Sequence, residues 1–331
     1  MIITKTPYRI SFFGGGTDHP EWYRENKGGV LATTFDKYCY ISVRPLPQFF
    51  AHKYRIVYSS IESVENINQI QHPSVRETLK YFNCHHGLEI HHDGDLPARS
   101  GLGSSSSFTV GLVNAMNALN GLHSSSHELA TLAIHIEQNL INECVGSQDQ
   151  ISAAYGGFNE IKFHEDDTFT VEPKVFTQSR VKELNNHLML FFTGISRFSS
   201  QVAESQISNM KNCKPQISEM YEMVGEGVSI LNNINTPINE FGKLLHQAWI
   251  NKRSLSNKVT NSEIDDLYNL AVRAGATGGK VLGAGGGGFI LFFVKPENQN
   301  RVKKALSKLT FVPFKFENTG SKVVLYQPNG L

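Results

Sequence analysis

Residues 94–107 read Gly-Asp-Leu-Pro-Ala-Arg-Ser-Gly-Leu-Gly-Ser-Ser-Ser-Ser, and the chemistry they suggest is the holding of an anion. Gly101 and Gly103 bracket one apolar residue, and an apolar stripe at helical spacing follows: Phe108, Leu112, Ala115, Met116 and Leu119. A glycine-rich loop that opens a helix points free backbone N–H groups, and the positive end of the helix dipole, at one spot. That arrangement suits phosphate. A serine hydroxyl just after the glycines can also reach a phosphate-bound Mg2+. No Gly-Lys-Ser/Thr follows, so the loop is not a Walker A motif, and the Gly-x-Gly-x-x-Gly dinucleotide spacing is absent. Taken alone, the stretch reads equally well as a Gly/Ser connector.

Two acids and two further glycine runs add to it. Glu137 lies on the flank of an amphipathic helix whose stripe is Leu129, Leu132, Ala133, Ile136 and Leu140; it fits a surface residue or a semi-buried carboxylate. Asp149 sits in the polar turn Gly146-Ser147-Gln148-Asp149-Gln150 and, by itself, fits a solvated turn acid. Gly14-Gly15-Gly16-Thr17-Asp18 closes an apolar strand, and three glycines there mean a tight bend or a close approach. Gly278 to Gly288 forms the third glycine-rich stretch and runs into the apolar segment 289–294.

The elements that must position these residues are legible in outline. With 331 residues the chain is long for one core, so two packed domains are expected, 1–175 and 176–331. Residues 2–13, 31–43, 54–58 and 88–92 read as strands, and 74–82 and 108–119 as helices. Ser125 with Glu128 makes a capping box for the helix bearing Glu137. A charged hairpin at 160–180, a strand at 189–193, helices over 199–274 and a β-rich end at 311–316 and 322–326 complete the reading. Helix starts are expected at Thr236-Pro237 and at Ser262. Composition is that of an ordinary globular protein, 40% hydrophobic and 18% charged, with a net charge of +1. This argues against a dedicated nucleic-acid binder. Cys39, Cys84, Cys144 and Cys213 form no C-x-x-C pair and suit reduced thiols. No signal-peptide run and no apolar stretch long enough for a bilayer is seen, so a cytoplasmic, non-membrane protein is expected. The pairs His85-His86 and His91-His92 lack acids or cysteines at ligand spacing and read as strand and surface residues.

Together, the three glycine-rich stretches resemble the signature motifs of the GHMP kinases. Residues 6–18 are similar to the first motif, 96–105 to the second and 280–289 to the third. The resemblance implies an α+β fold of two domains. The N-terminal one is like ribosomal protein S5 domain 2 and the C-terminal one is ferredoxin-like, with ATP and acceptor meeting between them. It implies ATP and Mg2+ as cofactors. Pro97, Ser100, Gly101, Leu102, Gly103, Ser104, Ser105 and Ser106 would bind ATP, and Ser105 with Glu137 would hold Mg2+. Asp149 would be the catalytic acid–base group, and Arg9 would stand beside it to keep it ionised and to offset developing charge.

The triple glycine before Thr17-Asp18, with Gln148-Asp149 and Gly156-Gly157-Phe158, is most similar to the D-glycero-D-manno-heptose 7-phosphate kinases of that superfamily. Those enzymes act at the anomeric C1 hydroxyl and feed nucleotide-activated heptose to bacterial surface polysaccharide. By this resemblance Gly15, Gly16, Thr17, Asp18, Gln148, Asp149, Gly157, Gly286 and Gly287 would meet the sugar. Its 7-phosphate would need cations; Arg197 is the first candidate, with Lys162 and Arg99 behind it. One of Tyr38, Tyr40 and Tyr54 is a candidate to stack on adenine. The partners are then a sugar phosphate and ATP, with a homodimer left open. A fucokinase-like enzyme on a non-phosphorylated sugar, a catalytically inactive sugar sensor and a decarboxylase of the mevalonate branch are the alternatives. The last finds nothing in its favour.

Overall fold

The computed structural model describes residues 1–98, 100–195 and 199–328. Arg99 and Arg197, two of the cations expected at the acceptor phosphate, lie outside the described residues. The first sheet is built on two long strands, β1 (Ile2–Phe13) and β2 (Gly28–Pro45), paired antiparallel along most of their length. One end of β2 carries β5 (Leu88–Gly94), which continues in parallel to β3 (Tyr54–Val57) and then β4 (Ile61–Val64). The other end carries the hairpin of β6 (Phe158–Phe163) and β7 (Phe169–Pro173). The second sheet has the order β11–β8–β10–β9, with β8 (Leu188–Phe192), β9 (Ala276–Val281), β10 (Phe289–Val294) and β11 (Thr310–Val312), all antiparallel.

The helices are α1 (Pro20–Tyr23), α2 (Pro73–Tyr81), α3 (Ser104–Leu119), α4 (Ser126–Ile134) and α5 (Gln148–Tyr155) in the first half. In the second half they are α6 (Gln178–His187), α7 (Ser199–Asn209), α8 (Lys214–Asn232), α9 (Asn239–Ser254), α10 (Ser262–Arg273) and α11 (Gln299–Ala305). Helix α3 lies directly on β1 and β2. It can do so because Gly111 faces Thr4 and Thr6, and a Cβ there would come within 2.9 Å of Thr6 Oγ1. Thr4 Oγ1 donates to the Gly111 carbonyl at 2.9 Å, so the buried threonine hydroxyl is satisfied by the helix backbone it supports.

The two halves share a core. Phe12 and Phe13 of β1 meet Phe241 of α9 at ring-centroid distances of 5.2 and 5.0 Å, and Leu291 and Phe293 of β10 belong to the same cluster. Burial of each such ring stabilises the fold by roughly 1.5–3 kcal/mol. It also fixes α9, from the second half, against β1, from the first.

Three local expectations change. The segment 311–316 is not one strand, because Pro313, which has no N–H, interrupts it. Thr310–Val312 stays in the second sheet, while β12 (Phe316–Glu317) pairs with β2. The last strand, β13 (Lys322–Tyr326), then pairs with β1, so the chain returns to its first sheet. Asn261, not Ser262, caps α10, and α9 begins at Asn239. Finally, the helix after α4 widens into a π-helical turn over His135–Leu140, the stretch that carries Glu137. Such turns insert one residue into the helical phase. Among the described residues no helix is long and apolar enough to cross a membrane.

Candidate active site

A cleft of about 760 Å³ runs between the halves, and the expected chemistry converges on its middle. Arg9 projects from β1 and Asp149 from the first turn of α5, where the helix dipole favours a carboxylate. The guanidinium grips the acid bidentately, Nε to Oδ1 at 2.7 Å and Nη2 to Oδ2 at 2.8 Å, while Nη1 donates to the Gly101 carbonyl at 2.8 Å. Arg9 is 3% exposed and Asp149 24%, so the cation is the buried partner and the carboxylate is the one that faces the cleft.

The phosphate loop is held on that pair. Gly101 and Gly103 have φ of 82° and 75°, and Gly103 is the left-handed N-cap of α3. A Cβ on Gly103 would lie 3.3 Å from Asp149 Oδ2 and 3.4 Å from Arg9 Cγ, so glycine lets the loop sit on the Arg9–Asp149 pair. Ser104, Ser105 and Ser106, the first turn of α3, line the cleft mouth at the positive end of the helix dipole. From below, the third glycine stretch packs backbone to backbone. A Cβ on Gly283 would stand 2.5 Å from Gly101 Cα, one on Gly288 2.1 Å from the Ser100 carbonyl, and Phe289 N donates to that carbonyl at 3.2 Å.

At one side of the pair lies Glu137, fully buried. Its Oε2 accepts from Ser106 Oγ at 2.9 Å and from Gln150 Nε2 at 2.5 Å, and Oε1 has no partner. Burial pushes its pKa up to about 7, with Glu143 adding to the rise and the nearby polar groups of Thr109, Ser106 and Gln150 opposing it. An orphaned buried carboxylate oxygen beside a hydroxyl is a donor set that fits Mg2+. The extra residue of the π turn rotates Glu137 inward from the flank position that regular helical spacing gives it. The serine beside it is Ser106. Ser105, the expected partner, is exposed one position earlier on α3.

On the other side lies Asp18, 2% exposed, accepting from Gly16 N at 2.9 Å and Gln148 N at 3.4 Å. Gly146 makes room for it, since a Cβ there would stand 1.9 Å from Asp18 Oδ2. Around it Ser11 Oγ, His19 Nδ1 and Gln148 Oε1 are buried without partners. Two lysines that the sequence does not single out line the same end. Lys252 of α9 donates to the Val281 carbonyl at 3.1 Å and to that of Gly283, and Lys280 of β9 donates to Phe12 O at 2.8 Å. Burial lowers both pKa values, that of Lys252 to about 7; Arg9 adds to the fall in each, and Asp18 opposes it. Their clustering in space marks them: Lys252 belongs to an ordinary amphipathic helix, and Lys280, although it opens the third glycine-rich motif, has no role of its own in the sequence reading.

Several expected residues serve the scaffold instead. Thr17 Oγ1 donates to the carbonyls of Gly14 and Gly29, pinning the turn. Leu102 is in the core and its carbonyl accepts from Arg9 N, while Pro97 is exposed beside the cleft and Ser100 lies beneath it. Gly157 donates to Thr34 Oγ1, Gly286 donates to the Val259 carbonyl and Gly287 packs on Ile195; Gly283 and Ala284 face the cleft in their place. Lys162 is tied to Glu160 and Glu172 on the β6–β7 hairpin, away from the cleft. Of the aromatic candidates, Tyr38 bonds Glu317 and Tyr54 is core, its hydroxyl on the Cys84 carbonyl. The far end of the cleft is instead lined by Tyr58, His72, Phe108 and His92, with His72 stacked on Phe108 at 4.5 Å.

Comparison with known proteins agrees with this geometry. Residues 70–157 match the family model for the GHMP kinases N terminal domain and residues 232–310 that for the GHMP kinases C terminal domain. A D-glycero-alpha-D-manno-heptose 7-phosphate kinase of Campylobacter jejuni is 28% identical, with 93% of each chain covered. A bifunctional fucokinase/GDP-fucose pyrophosphorylase of Arabidopsis thaliana is 26% identical over 87% of this chain, which spans 29% of that longer protein. The crystal structure of a D-glycero-D-manno-heptose 1-phosphate kinase from Bacteroides thetaiotaomicron superposes with a TM-score of 0.80 at 23% identity, covering 99% of this chain and 100% of the other.

Proposed function

This chain belongs to the GHMP kinases, and we propose that it transfers the γ-phosphoryl of ATP to the anomeric C1 hydroxyl of D-glycero-D-manno-heptose 7-phosphate. That it is a phosphotransferase and a sugar kinase follows from the family and its relatives. The observation that carries the reaction is the Arg9–Asp149 pair, held between the phosphate loop and the pocket of Asp18.

In this reading Asp18, Ser11 and Gln148 orient the sugar by its hydroxyls, and Asp149 accepts the proton of the C1 hydroxyl as it attacks. Arg9 holds the Asp149 carboxylate in position through its two hydrogen bonds and offsets charge near the nucleophile. The N–H groups of Gly103 to Ser106 hold the nucleotide phosphates. Glu137 and Ser106 would hold Mg2+, which supplies charge neutralisation on the transferred phosphoryl. Tyr58, His72, Phe108 and His92 form the wall available to the base.

The acceptor is supported by the Campylobacter relative and by the cation-rich sugar end. The Arabidopsis relative favours a second reading, a sugar-1-kinase on a free sugar. ADP release with Mg-ATP across sugars with and without a terminal phosphate separates the two. Turnover confined to heptose 7-phosphate and lost in Asp149→Asn is expected. Turnover with free fucose or mannose would reject the heptose phosphate, and sugar binding without turnover would point to an inactive sensor.

A further inference from the structure

The sugar end of the cleft carries more buried basic groups than it has carboxylates to pair with them. Arg9, Lys252 and Lys280 are each less than a tenth exposed, and the acids among them are Asp18 and Asp149. Arg9 is consumed by Asp149 through two hydrogen bonds. Asp18 is met by backbone N–H groups of Gly16 and Gln148 rather than by an ammonium. The hydrogen bonds of the two lysines run to carbonyls of Val281, Gly283 and Phe12, which solvate an ammonium without neutralising it. A buried cation without an anion is costly, and a ligand that brings negative charge recovers that cost. The nucleotide phosphates have their own cradle at 101–106, on the other side of Asp149. Beside the lysines Ser11 Oγ is a buried hydroxyl still lacking a partner.

We infer that Lys252 and Lys280, with Ser11, form a buried subsite for a phosphate monoester carried by the sugar acceptor. The inference rests on the acceptor proposed above, but it names residues that neither the motifs nor the comparisons assign. It also gives the second half of the chain a direct part in choosing the acceptor, because both lysines belong to α9 and β9 while Asp18 and Asp149 belong to the first half. Ammonium groups are well suited here, since each is a compact charge with three donors, able to serve carbonyls and a phosphate at once.

The experiment compares the intact enzyme with Lys252→Met, Lys280→Met and Lys252→Arg, using heptose 7-phosphate, free heptose and inorganic phosphate as a competitor. Loss of one charge-assisted contact is expected to cut the kcat/KM preference for the phosphorylated over the free sugar roughly 10- to 100-fold in each Met variant. The KM for ATP should stay within about twofold, and Lys252→Arg, which keeps the charge, should retain most of the preference. Inorganic phosphate should compete with the acceptor in the parent enzyme and cease to do so in Lys252→Met. Equal losses on both sugars, or a rise confined to the KM for ATP, would overturn the subsite and make the lysines supports of the glycine turn. If the parent enzyme accepts only free sugars, the acceptor reading fails. The phosphate competition then decides the subsite alone: its presence in the parent and loss in Lys252→Met supports it, and its absence in the parent rejects it. A Met variant that does not fold leaves the decision to Lys252→Arg and to phosphate competition in the parent: no competition there, or full loss of preference in the Arg variant, rejects the subsite.

Discussion

The two ends of the reaction centre are electrostatic opposites. On one side Glu137 is a buried acid with neutral partners and one oxygen unpaired. On the other, Lys252 and Lys280 are buried bases bonded to carbonyls. Between them Arg9 and Asp149 pair with each other and are complete. Burial raises the pKa of the acid and lowers those of the bases, so each outer pole is costly in its charged form until a ligand of opposite sign arrives. In the proposed reading the satisfied pair is the reactive centre, and the unsatisfied poles are where ligands bind.

That contrast can be broken most severely at its centre. Asp149→Asn keeps the shape but removes the proton acceptor, and kcat should fall about 10²- to 10⁴-fold in a coupled ADP assay. A variant that kept more than a tenth of the rate would displace Asp149 from its role. At the acidic pole, Glu137→Gln should weaken the response to Mg2+ by at least about tenfold. The ligand-free variant should melt no lower than the parent, because the amide removes an uncompensated buried carboxylate. Melting well below the parent would mean that Glu137 is a structural acid.

Gly283→Ala tests the support beneath the loop. At φ 68°, and 2.5 Å from Gly101 Cα, the added methyl should cost about 1–3 kcal/mol of stability and raise the KM for ATP before that for the sugar. The basic pole gives a pH signature. Lys252 has its folded pKa lowered to about 7, with Arg9, Lys280, Asp18 and Asp149 facing it, while the unfolded chain stays protonated to about 10.5. Between those limits the unfolded state holds more protons, so this contribution to stability grows as pH rises from about 7 and is lost as pH falls back through 7. Thermal melts of the ligand-free parent against Lys252→Met across that window should show a slope that the variant lacks. The smallest effect is expected far from either pole. Arg24 and Asp167 pair in solvent, and Arg24→Ala should change stability by less than about 1 kcal/mol and leave turnover as it was.

Part of this centre is legible in the sequence through resemblance: the motifs at 6–18 and 96–105 are similar to those of the GHMP kinases, and that likeness, rather than turn geometry, singles out Arg9, Asp18 and Asp149. Which serine faces Glu137 is not legible there, because a step of one residue turns a helix by about 100°. The left-handed entry at Gly103 and the π turn at 135–140 both reset that phase. The lysines were hidden for another reason. Lys252 sits near the end of an ordinary amphipathic helix and Lys280 in a glycine-rich strand, and their meeting at the cleft depends on how two sheets pack through Phe12, Phe13 and Phe241. The return of β12 and β13 to the first sheet is equally non-local, although Pro313 marks the place where the chain changes sheets.

That return has a consequence for how the protein is made. β1 is synthesised long before β13, yet among the described residues it is β13 that covers one of its edges. At elongation rates of about 5–20 residues per second, an apolar strand edge waits tens of seconds for its partner. During that interval it is open to pairing with a neighbouring chain. Deleting β13, or placing a bulky insertion just after it, should therefore lower the yield of soluble protein while leaving the cleft of the molecules that do fold intact.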